Sequence, residues 1–200
     1  MQTFLAYLNN WKWNDEKALH HFADAFTPLR VKRKTLLTVA GETERYLYFV
    51  NEGVQRIFYV TDEGKDITLL FGYSGSFFGN ADSFLLQKPA AYFFETLTAS
   101  HFLRLHYDRL QQFVQQYPFI QYFLLSATAA ALQGTIQRQI ELQTYSNEQK
   151  FHALMQRNAH LLNKVPHKYI ASYLGMDATN FSKLLNHQKI TNHGKCQHLD

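Results

Sequence analysis

Gly41, Gly53, Gly64 and Gly72 fall eight to twelve residues apart, and Gly75 and Gly79 follow closely. Between them, from Arg33 onward, lie short runs rich in Val, Tyr, Phe, Ile and Thr. Breakers at that spacing forbid long helices but suit short strands joined by tight turns. The pattern predicts strands at Tyr46–Val50, Arg56–Thr61, Ile67–Phe71, Tyr92–Thr98 and His101–His106. Thr61-Asp62-Glu63-Gly64-Lys65 reads as a hairpin turn, with Gly64 as its left-handed residue. A closed or sandwiched all-β unit follows. Upstream, Phe4, Leu5, Leu8 and Trp11, then Leu19, Phe22 and Phe26, recur at helical spacing, so residues 1 to about 30 read as helical, ending at Pro28.

After Asp108 the period returns to that of a helix, with Pro118 in or near its first turn and no breaker cluster until about Ser146. Two apolar stripes run along it. Leu125, Ala129, Leu132, Ile136 and Ile140 form one, and Ile120, Leu124, Ala127, Ala131 and Gly134 form the other. Two stripes imply two buried faces: one covers the β unit, and the stripe of small residues suits close packing against a second copy. The longest apolar stretch, Phe123–Leu132, is broken by Ser126 and Thr128 and falls short of the roughly 20 residues of a membrane span. The first residues carry no basic region of a secretory signal, and one cysteine, Cys196, allows no disulfide framework. These features predict a cytoplasmic chain without a membrane segment.

The net charge of +4 belongs entirely to the end of the chain. Residues 146–200 hold seven Lys or Arg against three Asp or Glu, while the preceding 145 residues balance at thirteen of each. A neutral body with a basic end suits contact with a polyanion. Inside that end, residues 167–186 have the features of a helix-turn-helix: Ala171 where two helices cross, Gly175 at the turn, and Ile170, Leu174, Met176, Phe181 and Leu184 facing inward. Pro166 suits the first turn of the leading helix, and Asp177 can cap the second.

The order of β unit, long helix and basic helix-turn-helix resembles the Crp/Fnr (catabolite activator) family of bacterial transcription regulators. Leu47-Tyr48-Phe49-Val50-Asn51-Glu52-Gly53 and Val165-Pro166-His167-Lys168-Tyr169-Ile170-Ala171-Ser172-Tyr173-Leu174-Gly175 carry the likeness. The resemblance implies an α+β chain. Residues 1–110 would form a cyclic-nucleotide-binding-like β-roll (jelly roll) with N-terminal helices, 111–145 a dimerisation helix, and 146–200 a winged-type helix-turn-helix. It further implies double-stranded DNA and a second copy as partners, RNA polymerase among the contacts, and a recognition helix over about 178–186. Lys168, Thr179, Asn180, Ser182 and Lys183 are then the DNA-binding residues. Family members present an Arg-Glu pair near the start of this helix and an Arg later; here Ala178-Thr179 and Lys183 stand there, so the family's half-site does not carry over.

The family's phosphate cassette places a Glu after Gly and an Arg with a hydroxyl neighbour about ten residues on. At the matching positions this chain has Gly79-Asn80 and Ala90-Ala91, a degenerate effector pocket. Losing the charged contact to the cyclic phosphate costs about 1.5–3 kcal/mol, roughly 10- to 150-fold in affinity. No cofactor is expected, and cyclic AMP is not expected to act in the family's usual way. His187, His193, Cys196 and His198 match no zinc spacing, and His101 and His106 fall on opposite faces of a continuous strand. Haem stays open, because a lone axial histidine leaves no spacing signature. No nucleophile elbow, P-loop or dinucleotide fingerprint occurs, so no enzyme is read here. The alternative reading is a sensor or interaction module in which DNA reading is weakened or lost.

Overall fold

The computed structural model describes residues 2–11 and 15–194, with side chains through residue 187. The chain divides into two compact units, residues 1–132 and 133–200.

The first unit opens with helices α1 (Gln2–Asn9) and α2 (Glu16–Asp24), the latter capped by Asp15, whose carboxylate accepts from the amides of Lys17 and Ala18. Eight strands follow: β1 (Thr27–Val31), β2 (Leu36–Thr38), β3 (Tyr46–Glu52), β4 (Val54–Val60), β5 (Asp66–Tyr73), β6 (Ser76–Phe77), β7 (Phe93–Thr96) and β8 (Ser100–His106). A short helix α3 (Ala81–Leu86) lies between β6 and β7. The strands form two four-stranded sheets, ordered β1-β8-β3-β6 and β2-β7-β4-β5, with every pairing antiparallel. The five predicted strands are present within a few residues of their expected limits. The hairpin turn is also as read: Gly64 has φ +78° and its amide donates to Thr61 O at 2.8 Å.

Strand β3 explains why the centre of this segment reads as continuously apolar. Tyr48, Phe49 and Val50 are all buried, and successive side chains point to opposite faces. Phe49 joins Phe4, Phe22, Leu103, Phe113 and Phe123 in a core under the helices, while Tyr48 and Val50 meet Phe94 and Phe102 between the sheets. A strand covered on both faces has no polar side to display. Within the second sheet the Arg56 side chain is buried but compensated: Nε donates to Glu95 Oε2 at 2.8 Å and Nη2 to Asp66 Oδ2 at 2.6 Å.

Three expectations need correction here. Pro28 does not end a helix; α2 stops at Asp24, and Pro28 sits in β1 opposite Leu103. Proline cannot donate to a ladder, which restricts it to an edge strand, and β1 is one. The helix after Asp108 is two helices, α4 (Tyr107–Gln116) and α5 (Pro118–Thr144), because the residue before proline is pushed out of helical geometry and Tyr117 is extended at φ −129°, ψ 96°. Pro118 is then the first residue of α5.

The third correction concerns which stripe covers the β unit. Ile120 and Phe123 are buried in the first unit's core with Leu124 and Ala127 packed against it, so the first half of the small-residue stripe faces the β unit, while Ala131 and Gly134 are exposed. Tyr122, Leu125 and Leu132 are 72, 69 and 58% exposed, and Ile136 and Ile140 are exposed as well. By length and composition this 27-residue helix also meets the requirement for crossing a bilayer, which the broken apolar run had obscured.

The second unit contains the last part of α5, then α6 (Asn147–Asn158), α7 (Leu161–Lys164), α8 (His167–Tyr173) and α9 (Ala178–Gly194). Ser146 and Gln149 form a capping box on α6. Phe151, Leu154, Leu161, Ile170, Leu174 and Phe181 are buried and make its core. No strand occurs among its described residues; α9 continues where the wing was expected.

Candidate functional site

The helix pair α8–α9 is built by its turn. Leu174 closes α8, Gly175 takes φ +66°, the Gly175 amide donates to Ser172 O at 3.0 Å and the Met176 amide to Ala171 O at 3.1 Å. This paired bond satisfies the last carbonyls of α8 and requires a left-handed residue that glycine adopts without strain. Asp177 then opens α9, its Oδ1 accepting from the Asn180 amide at 2.7 Å. Pro166 stands one position ahead of the expected first turn, as the residue capping α8.

All five residues expected to meet DNA are exposed. Thr179, Asn180 and Lys183 share one side of α9, while Phe181 on the opposite side is fully buried. Their freedom differs. The Asn180 amide group donates to Asp177 Oδ2 at 2.6 Å, and Ser182 Oγ donates back to Ala178 O at 2.8 Å. The Lys168 ammonium lies 4.9 Å from the centre of the Tyr169 ring. Among the described residues, Thr179 and Lys183 make no such side-chain contact.

Sequence reading missed a buried charge cluster behind the turn. Glu141 of α5, 2% exposed, receives both guanidinium nitrogens of Arg157, Nη2 to Oε2 at 2.7 Å, and lies 3.6 Å from Arg138 Nη1. Arg138 in turn donates to the carbonyl of Tyr173, its guanidinium 4.0 Å from that ring's centre. The bond from Arg157 holds the Glu141 carboxyl below its ordinary range, against the opposing effect of burial. Leu142 of the same helix lies 3.3 Å from where a Cβ on Gly175 would sit. The partners are separated by 16 and 35 residues, a spacing with no sequence signature.

The first unit holds a cavity of about 380 Å³ between β3, β6, α3 and the first half of α5. Phe77, Phe78, Phe84, Phe123 and Leu124 are among the residues of its wall, with Ala127 and Ala131 leaving it room. Gly79 and Asn80 line it; Ala90 and Ala91 do not. Ala90 is buried, its amide donating to Glu42 O at 2.9 Å, and Ala91 is exposed. The expected pocket residues are thus only half assembled. Among the described residues, the one formally charged group on the wall is Glu44. Burial pushes its carboxyl up, opposed by Thr38 Oγ1, which donates to Oε2, and by the amides of Tyr46 and Arg45, which donate to Oε1 at 3.0 and 2.9 Å. No histidine, cysteine and carboxylate group suited to a metal occurs among the described residues; Cys196 and His198 lie outside them, as does the His193 side chain.

Residues 28–117 match the family model of the cyclic nucleotide-binding domain. The chain is 32% identical over 102 residues to the "cAMP-activated global transcriptional regulator CRP" of Haemophilus influenzae, a match covering 51% of this chain and 46% of that protein. It therefore spans about half the length of that relative. Among solved structures, FixK2 from Bradyrhizobium japonicum aligns with a TM-score of 0.74 at 17% identity, covering 84% of this chain and 86% of that one. The regulator CLP of Xanthomonas campestris, described as c-di-GMP responsive, aligns with a TM-score of 0.66 at 20% identity, covering 89 and 93%. At these identities the two structures report a shared fold.

Proposed function

We propose that this chain, which belongs to the Crp/Fnr family, is a homodimeric DNA-binding transcription regulator that reads a two-fold-symmetric operator and does not depend on cyclic AMP. The observation that carries this reading is the α8–α9 pair: a glycine turn with both terminal bonds made, and an exposed second helix presenting Thr179, Asn180 and Lys183. Asn can bond adenine and Lys can bond guanine or phosphate, while Lys168 and Lys164 supply positioning charge. The Haemophilus influenzae relative is named a transcriptional regulator and CLP a global regulator, which supports the same class.

Dimerisation follows from the face of α5 that carries Tyr122, Leu125, Leu132, Ile136 and Ile140. An exposed apolar row at near-heptad spacing is the surface a second copy buries. Two recognition helices then sit about one DNA turn, roughly 34 Å, apart. The same row serves a dimer in the cytoplasm in place of a bilayer. RNA polymerase is a further partner on this reading. Cyclic AMP is disfavoured because Ala90 and Ala91 bring no cation or hydroxyl to the cavity and Asn80 replaces the ribose-binding carboxylate.

Selection from a randomised duplex pool at moderate salt, with and without cyclic AMP, tests the proposal. A palindrome is expected to enrich without nucleotide, and Lys183→Ala is expected to weaken binding and flatten its salt dependence. Enrichment only with cyclic AMP would overturn the ligand reading. Enrichment of no sequence in any condition would favour a sensor module without DNA reading, the role for which the tethering of Asn180 to Asp177 already offers a reason.

A further inference from the structure

The cavity of the first unit combines three features: it is largely aromatic and aliphatic, the only formal charge among its described lining residues is a carboxylate, and one of those residues carries a buried acceptor with no hydrogen-bond partner. That acceptor is Asn80 Oδ1. Asn80 is 1% exposed, its Nδ2 donates to the carbonyl of Tyr92 at 2.9 Å, and Oδ1 is buried and accepts no hydrogen bond from any described residue. The orientation of the amide is fixed by Tyr92, since a carbonyl can only accept and so must face the nitrogen. A buried acceptor left unmet costs about 1–3 kcal/mol, a cost that a bound donor removes.

We propose that this cavity binds a neutral, mainly aromatic small molecule that donates one O–H or N–H to Asn80 Oδ1. The volume, about 380 Å³, is in the range of small-molecule sites. An anion, cyclic nucleotides included, meets the Glu44 carboxylate there and no Lys or Arg among the described lining residues. Ala127 and Ala131 bring α5 directly to the occupant, and the exposed row of the same helix begins one turn away at Tyr122 and Leu125. A molecule pressing on the alanines thus acts on the helix assigned to dimerisation. Only this last step, from binding to regulation, rests on the function proposed above.

Binding is tested on the full chain without DNA, using 2-naphthol, which carries a donor, and 2-methoxynaphthalene, which has the same ring system and only an acceptor. Fluorescence titration is expected to give saturable 2-naphthol binding, about tenfold tighter than that of 2-methoxynaphthalene. Asn80→Ala is expected to erase that difference while leaving 2-methoxynaphthalene unchanged, and millimolar cyclic AMP is expected not to displace 2-naphthol. Equal affinities for the two probes on the unaltered chain, no saturable binding of either, or displacement by cyclic AMP would overturn the proposal. Because no duplex is present, failure here leaves DNA reading untouched, and failure of the duplex selection leaves the cavity's chemistry untouched.

Discussion

Glu44 in the first unit and Glu141 in the second are both almost fully buried carboxylates, yet they are held in opposite ways. Glu141 is met by two guanidinium groups, and the bond from Arg157 draws its carboxyl below the ordinary range. Glu44 is met only by backbone amides and a threonine hydroxyl, and burial pushes it up. Neutral donors satisfy lone pairs without balancing charge, so a buried carboxylate that lacks a cation stays costly as an anion. The contrast separates a region built to be locked from one built to accept something. Around Glu141 the two arginines fasten α5 to α6 and to the end of α8; around Glu44 the described wall is apolar and free of cations.

The largest test of this contrast is Glu141→Ala. It leaves Arg138 buried without its carboxylate and is expected to destabilise the second unit by about 3–5 kcal/mol. Amide hydrogen exchange in α6 and α8 should accelerate, while tryptophan fluorescence should hold, because both tryptophans, Trp11 and Trp13, precede residues 133–200 in the chain. Equal loss in both signals would mean that the lock is not local. Next in size is Gly175→Ala, which forces a Cβ into the left-handed region at φ +66° and against Leu142. A loss of about 1–2 kcal/mol from the second unit is expected in urea denaturation followed by far-ultraviolet dichroism.

Glu44→Gln is the counterpart in the first unit. The amide oxygen keeps the bonds from the Arg45 and Tyr46 amides, the NH2 donates to Thr38 Oγ1 in place of accepting from it, and the charge is removed, so at pH 7 the change is expected to lie within about 1 kcal/mol and to favour stability, where Glu141→Ala lowers it. The smallest effect is the pH slope of the native chain. A raised carboxyl such as Glu44 costs the folded state progressively as pH climbs from its unfolded value of about 4.3 through its folded value. A lowered one such as Glu141 contributes fully above about 4.3, and that contribution is lost as pH falls through its folded value. Tryptophan fluorescence in urea should therefore show a first-unit slope that Glu44→Gln removes, and exchange in α6 a slope of the opposite sign.

What could be read in the chain beforehand was local. The Gly64 hairpin, the Gly175 turn and the Asp177 cap each depend on residues within five positions of one another, and each is present. Features set by distant partners were not readable. Neither Arg138 with Tyr173 nor Glu44 with Ser83 has a spacing that marks it. The stripes on α5 are legible in the sequence, but which of them the β unit takes is not, since periodicity gives the faces of a helix and not what each face meets. Ala90 and Ala91 were placed in the pocket by resemblance, whereas the backbone bond of Ala90 to Glu42 and the exposure of Ala91 put both outside its wall.

Pro28 in β1 has a further consequence, for the order of events during synthesis. Its register partner, Leu103, lies 75 residues downstream. A ribosome adding about 5–20 residues per second needs roughly 4–15 seconds to reach it. For that interval Thr27–Val31 is a strand without a neighbour, at risk of zipping onto the same segment of another nascent chain. A proline there withholds one donor from any such ladder. Helices α6 to α9 face a shorter wait: Phe151 of α6 meets Phe181 of α9 only 30 residues on, and a helix leaves no open ladder meanwhile.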